Sequence, residues 1–304
     1  MAPRTPLALA ALASVAVRGL EPVATQQHGA QDGDIDAAVV HDERGRRWLI
    51  RSPATPAAAA RLEQECRLLA QLERQPLPFP VPVVLGMVAL PEGGRAAVQQ
   101  ALSGTPLQPG ALAAGPGLAA ELGRALAAVH DLPVSVVEEA GLPVYEAEEY
   151  RQRRLAELDR AAATGHVPAP LLARWERALE EAGAWRFVPA VVHADLAAEN
   201  VLVDDDHVAG VLEWGEARVA DPADDLAWIA SAAEPDAFES VLEAYAYARR
   251  GAPDRDVARR ARLAGELAVA RWLLHGMTTD DEGIVADAVT MLDDLDAAVS
   301  GQPW

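Results

Sequence analysis

Between residues 191 and 213 the chain carries three oxygen-bearing side chains in an order that suits phosphoryl chemistry. Val191-Val192 lead into His193-Ala194-Asp195, and Asn200 follows five positions after Asp195, as the apolar run Val201-Leu202-Val203 begins. The polar turn Asp204-Asp205-Asp206-His207 then returns the chain through residues 208–212 to Glu213. A loop of this kind delivers Asp195 and Asn200 together, and a hairpin brings Glu213 beside them. Phosphoryl transfer to an alcohol needs such a set. One carboxylate accepts or steers the hydroxyl proton, while an amide oxygen and a second carboxylate hold Mg²⁺ against the nucleotide phosphates, because hard cations take oxygen ligands. Taken singly, Asp195 and Asn200 read as loop caps and His193 as a core histidine. Their joint order and the bracketing apolar runs favour the chemical reading.

The elements that must position this loop are legible from periodicity. Arg4 and the run Leu7-Ala8-Leu9-Ala10-Ala11-Leu12-Ala13 resemble a secretory signal, but the pattern is better read as a short helix. That helix would be capped by Thr5, with Pro6 at its first position and Leu7, Leu12 and Val15 facing a core. Ile35-Asp36-Ala37-Ala38-Val39-Val40 and Trp48-Leu49-Ile50-Arg51 flank a polar turn and predict a β-hairpin. A helix is expected over 57–72, with Leu62, Cys66, Leu69 and Leu72 as its buried stripe. Residues 79–84 and 96–100 read as strands. Helices are expected over 118–130, 146–162 and 171–182, and from 224 to the end. A strand-rich first third and a helix-rich remainder predict two lobes joined between Gln99 and Gly117.

Composition narrows the function classes. Of 304 residues, 46 are acidic and 26 basic, a formal net charge of −20 that repels nucleic-acid phosphates and favours cationic small molecules. Every basic residue is Arg. A Walker A loop, a Schiff-base lysine and a lysine nucleophile are therefore excluded, and any phosphate-binding cation of this chain is a guanidinium. One cysteine, Cys66, precludes an intrachain disulfide and suits a cytoplasmic protein, and no run is long enough to cross a bilayer.

The stretch from His193 to Glu213 resembles the H-x-D-x-x-x-x-N loop and metal carboxylate of the kinase superfamily. More narrowly, it is similar to the aminoglycoside and macrolide phosphotransferase family, whose usual form is His-Gly-Asp. Within that family it resembles the macrolide 2′-phosphotransferases. The segment from Arg218-Val219-Ala220-Asp221-Pro222 to Ala227 resembles the family's stretch after the metal carboxylate, and Trp48-Leu49-Ile50-Arg51-Ser52-Pro53 resembles its Trp-Val-Leu-Arg-x-Pro strand.

The resemblance implies an α+β, two-lobed, protein-kinase-like fold. Residues 1–102 would form a β-rich nucleotide-binding lobe (N-terminal helix, antiparallel sheet, one helix). Residues 103–304 would form a larger, mainly helical lobe with the catalytic loop and the acceptor site. It implies Asp195 as catalytic base beside His193, and Asn200 and Glu213 as ligands of Mg²⁺, with Mn²⁺ as the alternative. Arg51, Glu65, Gln99 and Gln100 would bind ATP or GTP, with Arg51 where kinases carry a phosphate-pairing Lys and Glu65 as its partner. Tyr145, Glu149 and Asp159 would form an acidic wall for a cationic acceptor, and Trp175, Trp185, Trp228 and Trp272 are candidates for an apolar pocket.

Departures from the family pattern stand out, among them Ala197-Ala198-Glu199 in place of its common polar-Pro-Gly stretch. Ala194 replaces Gly and requires a φ below zero, Glu213 replaces Asp, and the only glycine-rich candidate is His28-Gly29-Ala30-Gln31-Asp32-Gly33. The alternatives are a nucleotide-binding protein with weak or no transfer, and a kinase for a metabolite such as a sugar, choline or homoserine.

Overall fold

A computed structural model describes residues 3–29, 33–252 and 254–299. Residues 30–32 of the glycine-rich candidate lie outside the described residues. In chain order the elements are α1 (Pro6–Ala16), β1 (Pro22–His28), β2 (Ile35–Asp42), β3 (Arg47–Pro53), α2 (Pro56–Leu72), β4 (Val84–Ala89), β5 (Arg95–Gln100) and β6 (Thr105–Pro106). Then come α3 (Leu118–His130), α4 (Ser135–Ala140), α5 (Ala147–Ala163), α6 (Ala169–Glu180), β7 (Ala190–Val192), β8 (Val201–Asp204), β9 (His207–Val211) and β10 (Arg218–Ala220). Four helices follow: α7 (Ala223–Ala232), α8 (Pro235–Ala248), α9 (Val257–Thr279) and α10 (Glu282–Val299). The chain divides into two compact units, one of residues 1–107, 133–142 and 199–217, the other of residues 108–132, 143–198 and 218–304. No helix among the described residues is long and apolar enough to cross a membrane.

The first unit is built on a five-stranded antiparallel sheet in the order β1-β2-β3-β5-β4. The hairpin of β2 and β3 pairs Val40 with Trp48 and Ala37 with Arg51. Side chains alternate along a strand. Trp48 and Ile50 therefore enter the core formed with α1, and Arg51 takes the opposite side, towards α2. The cap on α1 is as expected, since Thr5 Oγ1 accepts the Ala8 N–H. Its buried face is only partly as expected: Leu12 packs against the core, but the fully buried residues are Leu9, Ala10 and Ala13, and Leu7 is 76% and Val15 72% exposed. The reason is close approach. A Cβ on Gly86 of β4 would stand 2.2 Å from the Ala16 carbonyl oxygen, so the helix lies against the sheet on a narrow face. The strand expected from residue 79 begins only at Val84, because Pro80 and Pro82 have no N–H to give a ladder. Thr55 caps α2 through the Ala58 N–H. Gln64 and Arg67 of α2 donate to the Gly141 and Ala140 carbonyls at the end of α4, which anchors the helix that carries Glu65. The same unit contains a three-stranded sheet in the order β6-β8-β9.

The second unit is mainly helical. Its core gathers Trp175, Trp185, Phe187, Leu263 and Leu267, with Val192 of β7 and Ala220 of β10. Those two strands pair antiparallel with Val192 opposite Arg218. This short ribbon fixes the backbone entering the His193 loop.

Candidate active site

In the second unit, the loop after β7 is held from below by one buried carboxylate. Asp225, in the first turn of α7, is fully buried and accepts the His193 N–H at 2.8 Å and the Ala194 N–H at 2.7 Å. A carboxylate can only accept, so His130 donates from Nε2 to Asp225 (3.0 Å), and Tyr245 donates its hydroxyl proton to His130 Nδ1 (2.9 Å). His193 is buried while Asp195, two residues on, is exposed. The loop thus presents one carboxylate outward from a backbone pinned by charge-assisted bonds.

Asp225, His130 and Tyr245 were not among the residues singled out by sequence. The only signal was the Asp-rich run at the start of α7, whose three carboxylates diverge. Asp221 takes Arg260 at 2.7 Å, Asp224 takes Arg154 at 2.9 Å, and Asp225 takes the loop.

Ala194 has φ +69°, which corrects the expectation of a negative value. Its N–H bond to Asp225 holds it in a left-handed conformation that costs a non-glycine residue about 1–2 kcal/mol. Ala194→Gly is expected to stabilise the fold by about 0.5–1 kcal/mol in denaturant unfolding, after the greater chain entropy of glycine is deducted. An unchanged or lower midpoint would show that the strain is absent.

The first unit assembles the cationic group. Arg51 Nη1 donates to Glu65 Oε1 at 2.6 Å, and Nη2 lies 3.6 Å from Glu213 Oε2. Burial opposes the charge on Arg51, but the two carboxylates outweigh it and hold the guanidinium above the ordinary arginine range. Glu213 itself has φ +58° and opens the turn Trp214–Glu216, whose indole is buried and whose Gly215 faces the Glu65 carboxylate. Asn200 is buried, and its carbonyl accepts the Leu212 N–H at 2.8 Å, so the β8–β9 hairpin brings Asn200 and Glu213 to neighbouring strand ends. Gln99 is buried and Gln100 exposed on β5.

Among the described residues no group of three or more His, Cys, Asp and Glu is placed to hold a metal. Mg²⁺ does not require one, since it binds through one or two protein oxygens plus phosphates and waters. The Asn200 amide and the partly exposed Glu213 carboxylate fit that need.

A cavity of about 960 Å³ lies within the second unit, with Asp195 on its wall. Trp228, Leu263, Trp272, Met291 and Leu295 give it an apolar lining, drawn mostly from α7, α9 and α10. The Trp228 Nε1–H is buried and has no hydrogen-bond acceptor among the described residues. Charges on the wall are mixed, four arginines (Arg174, Arg259, Arg262, Arg271) against four carboxylates (Asp195, Asp224, Glu266, Asp294). Trp175 and Trp185 belong to the core instead. Tyr145, Glu149 and Asp159 do not line this cavity: Tyr145 lines a different one, and Glu149 and Asp159 are exposed on α5.

Comparison with known proteins places this geometry in context. The model of a family described as the phosphotransferase enzyme family matches residues 31–261. Viomycin phosphotransferase of Streptomyces vinaceus is 35% identical over 123 residues, 38% of this chain and 41% of that one. The chain spans a third to about two fifths of the length of the curated relatives it matches. Among solved structures, macrolide 2′-phosphotransferase MphH from Brachybacterium faecium, as apoenzyme, aligns with a TM-score of 0.79 at 26% identity, over 94% of this chain and 97% of that one. The GDP complex of wild-type aminoglycoside 2′-phosphotransferase-IIIa aligns with a TM-score of 0.80 at 18% identity, over 97% and 99%, and shares the fold.

Proposed function

The chain belongs to the phosphotransferase enzyme family and has its kinase-like fold, and from that premise we propose that it transfers the γ-phosphate of ATP or GTP to a hydroxyl of a macrolide-like acceptor. The observation that carries this reading is Asp195 on the wall of a roomy cavity whose lining is rich in large apolar side chains. A lactone body needs such a surface, whereas an aminoglycoside needs mainly carboxylates. The unpartnered Trp228 Nε1–H supplies a donor to an acceptor oxygen, and the net charge of −20 draws cationic amines towards the protein.

In this mechanism Asp195 accepts the proton of the attacking hydroxyl, and the Asp225 bonds to the His193 and Ala194 amides keep it at a constant position. Arg51, aligned by Glu65, binds a phosphate oxygen through the guanidinium N–H groups that Glu65 does not take. Gln99 and Gln100 contribute to the nucleotide side. Asn200 and Glu213 would hold Mg²⁺ or Mn²⁺, which when bound neutralises charge on the transferring phosphoryl group. A nucleotide substrate and a single thiol suit a cytoplasmic enzyme.

A second reading, nucleotide binding with little transfer, is favoured by Glu213. It is one methylene longer than Asp, sits at positive φ and is drawn to Arg51. The deciding experiment measures nucleotide consumption with Mg²⁺ across macrolides, aminoglycosides and simple alcohols, for wild type and Glu213→Asp. Macrolides are expected to exceed the other classes by about ten-fold or more in kcat/KM. Equal, negligible rates for all acceptors, together with a large gain in Glu213→Asp, would favour the second reading.

A further inference from the structure

A second cavity, of about 460 Å³ and also within the second unit, is lined by Arg153, Arg154, Arg160, Arg218 and Arg271, with Glu157 as its one carboxylate. Five guanidinium groups around one chamber run against the composition of a chain whose net charge is −20. Part of this charge is compensated. Arg154 Nη1 donates to Glu157 at 2.9 Å and its Nη2 to the buried Asp224 at 2.9 Å, while Arg218 lies 3.6 Å from Asp224. Arg153 stacks over the Tyr145 ring, 4.6 Å from its centroid.

Arg271 is compensated less fully. Among the described residues its buried Nη1 has no hydrogen-bond partner, its Nη2 reaches only the Ala264 carbonyl at 3.5 Å, and Glu157, already engaged by Arg154, stands 4.0 Å away, while 35% of the side chain is open to solvent. Burial, and then repulsion from Arg154, push this guanidinium below the ordinary arginine range. A planar guanidinium fork matches a phosphate or carboxylate in two parallel bonds. The chamber lies within the usual volume range of small-molecule sites.

We propose that this cavity binds the oxyanion group, phosphate or carboxylate, of a small molecule, at a site that adjoins the Asp195 cavity through Arg271, which lines both. The ligand's oxygens complete the hydrogen bonding of Arg271 and lower the mutual repulsion of the arginines. This site does not depend on transfer activity, so its failure and that of the phosphotransfer reading are separable.

The test is calorimetric titration of the full chain, without nucleotide, with inorganic phosphate in one arm and citrate in the other. Saturable binding is expected in at least one arm, and the responding anion identifies the group. Arg271→Gln is expected to weaken it about ten-fold or more. Arg160→Gln, at an exposed position where folding is not at stake, is expected to weaken it in the same direction. The proposal fails if neither anion saturates, or if Arg160→Gln and a folded Arg271→Gln both bind as wild type does.

Discussion

Asp195→Asn is expected to lower kcat by about 10² to 10⁴-fold while leaving KM for nucleotide and acceptor nearly unchanged. The substitution is isosteric and the side chain is exposed, so the anchoring of the loop by Asp225 is untouched. What is lost is the capacity to take the hydroxyl proton as the phosphoryl group transfers. Thermal unfolding should place the midpoint within a degree or two of wild type, since surface changes away from special features stay within about 0.5 kcal/mol. The measurement is steady-state nucleotide consumption with the best acceptor of the screen. Wild-type turnover in this variant would remove Asp195 from the chemistry and with it the basis of the mechanism.

The second large effect is on stability. Arg51→Met is expected to destabilise the fold by about 3–5 kcal/mol, because it strands Glu65, whose side chain is only 4% exposed, without its cation. Urea unfolding of the single and double variants separates the roles. Arg51→Met with Glu65→Met should recover most of the stability, since apolar replacement of a buried pair is often neutral or better, yet should not recover nucleotide binding. Arg51→Lys should fall between the two, retaining charge but losing the fork that reaches Glu65 and Glu213 at once. Recovery of both properties by the double apolar variant would show that Arg51 is structural only.

The two predictions rest on different kinds of contact. Asp195 acts from an exposed tip whose backbone is pinned by a residue thirty positions later in the chain, whereas Arg51 and Glu65 face each other across a strand–helix unit that is nearly contiguous in sequence. The second arrangement could be anticipated through the family resemblance, which sets Glu65 as the partner of Arg51, whereas the helical spacing of α2 alone points to the stripe Leu62, Cys66, Leu69 and Leu72. The first could be anticipated only in part, because nothing local marks Asp225, rather than Asp221 or Asp224, as the residue that turns towards the loop.

Local chemistry therefore determined what short-range sterics and periodicity can carry. This includes the caps at Thr5 and Thr55, the β2–β3 and β8–β9 hairpins, the strand that bears Arg51, and the order His193, Asp195, Asn200, Glu213. Tertiary packing decided the rest. It chose the narrow Leu9–Ala10–Ala13 face of α1, tied Ala194 into positive φ, linked His130 and Tyr245 to the loop through Asp225, and built the Asp195 cavity from α9 and α10 rather than from the acidic face of α5. The division follows from the physics: backbone preferences act over a few residues and are written in each segment. Which faces meet across a hundred residues depends on the summed burial and hydrogen-bond satisfaction of the whole unit, and no segment carries that alone.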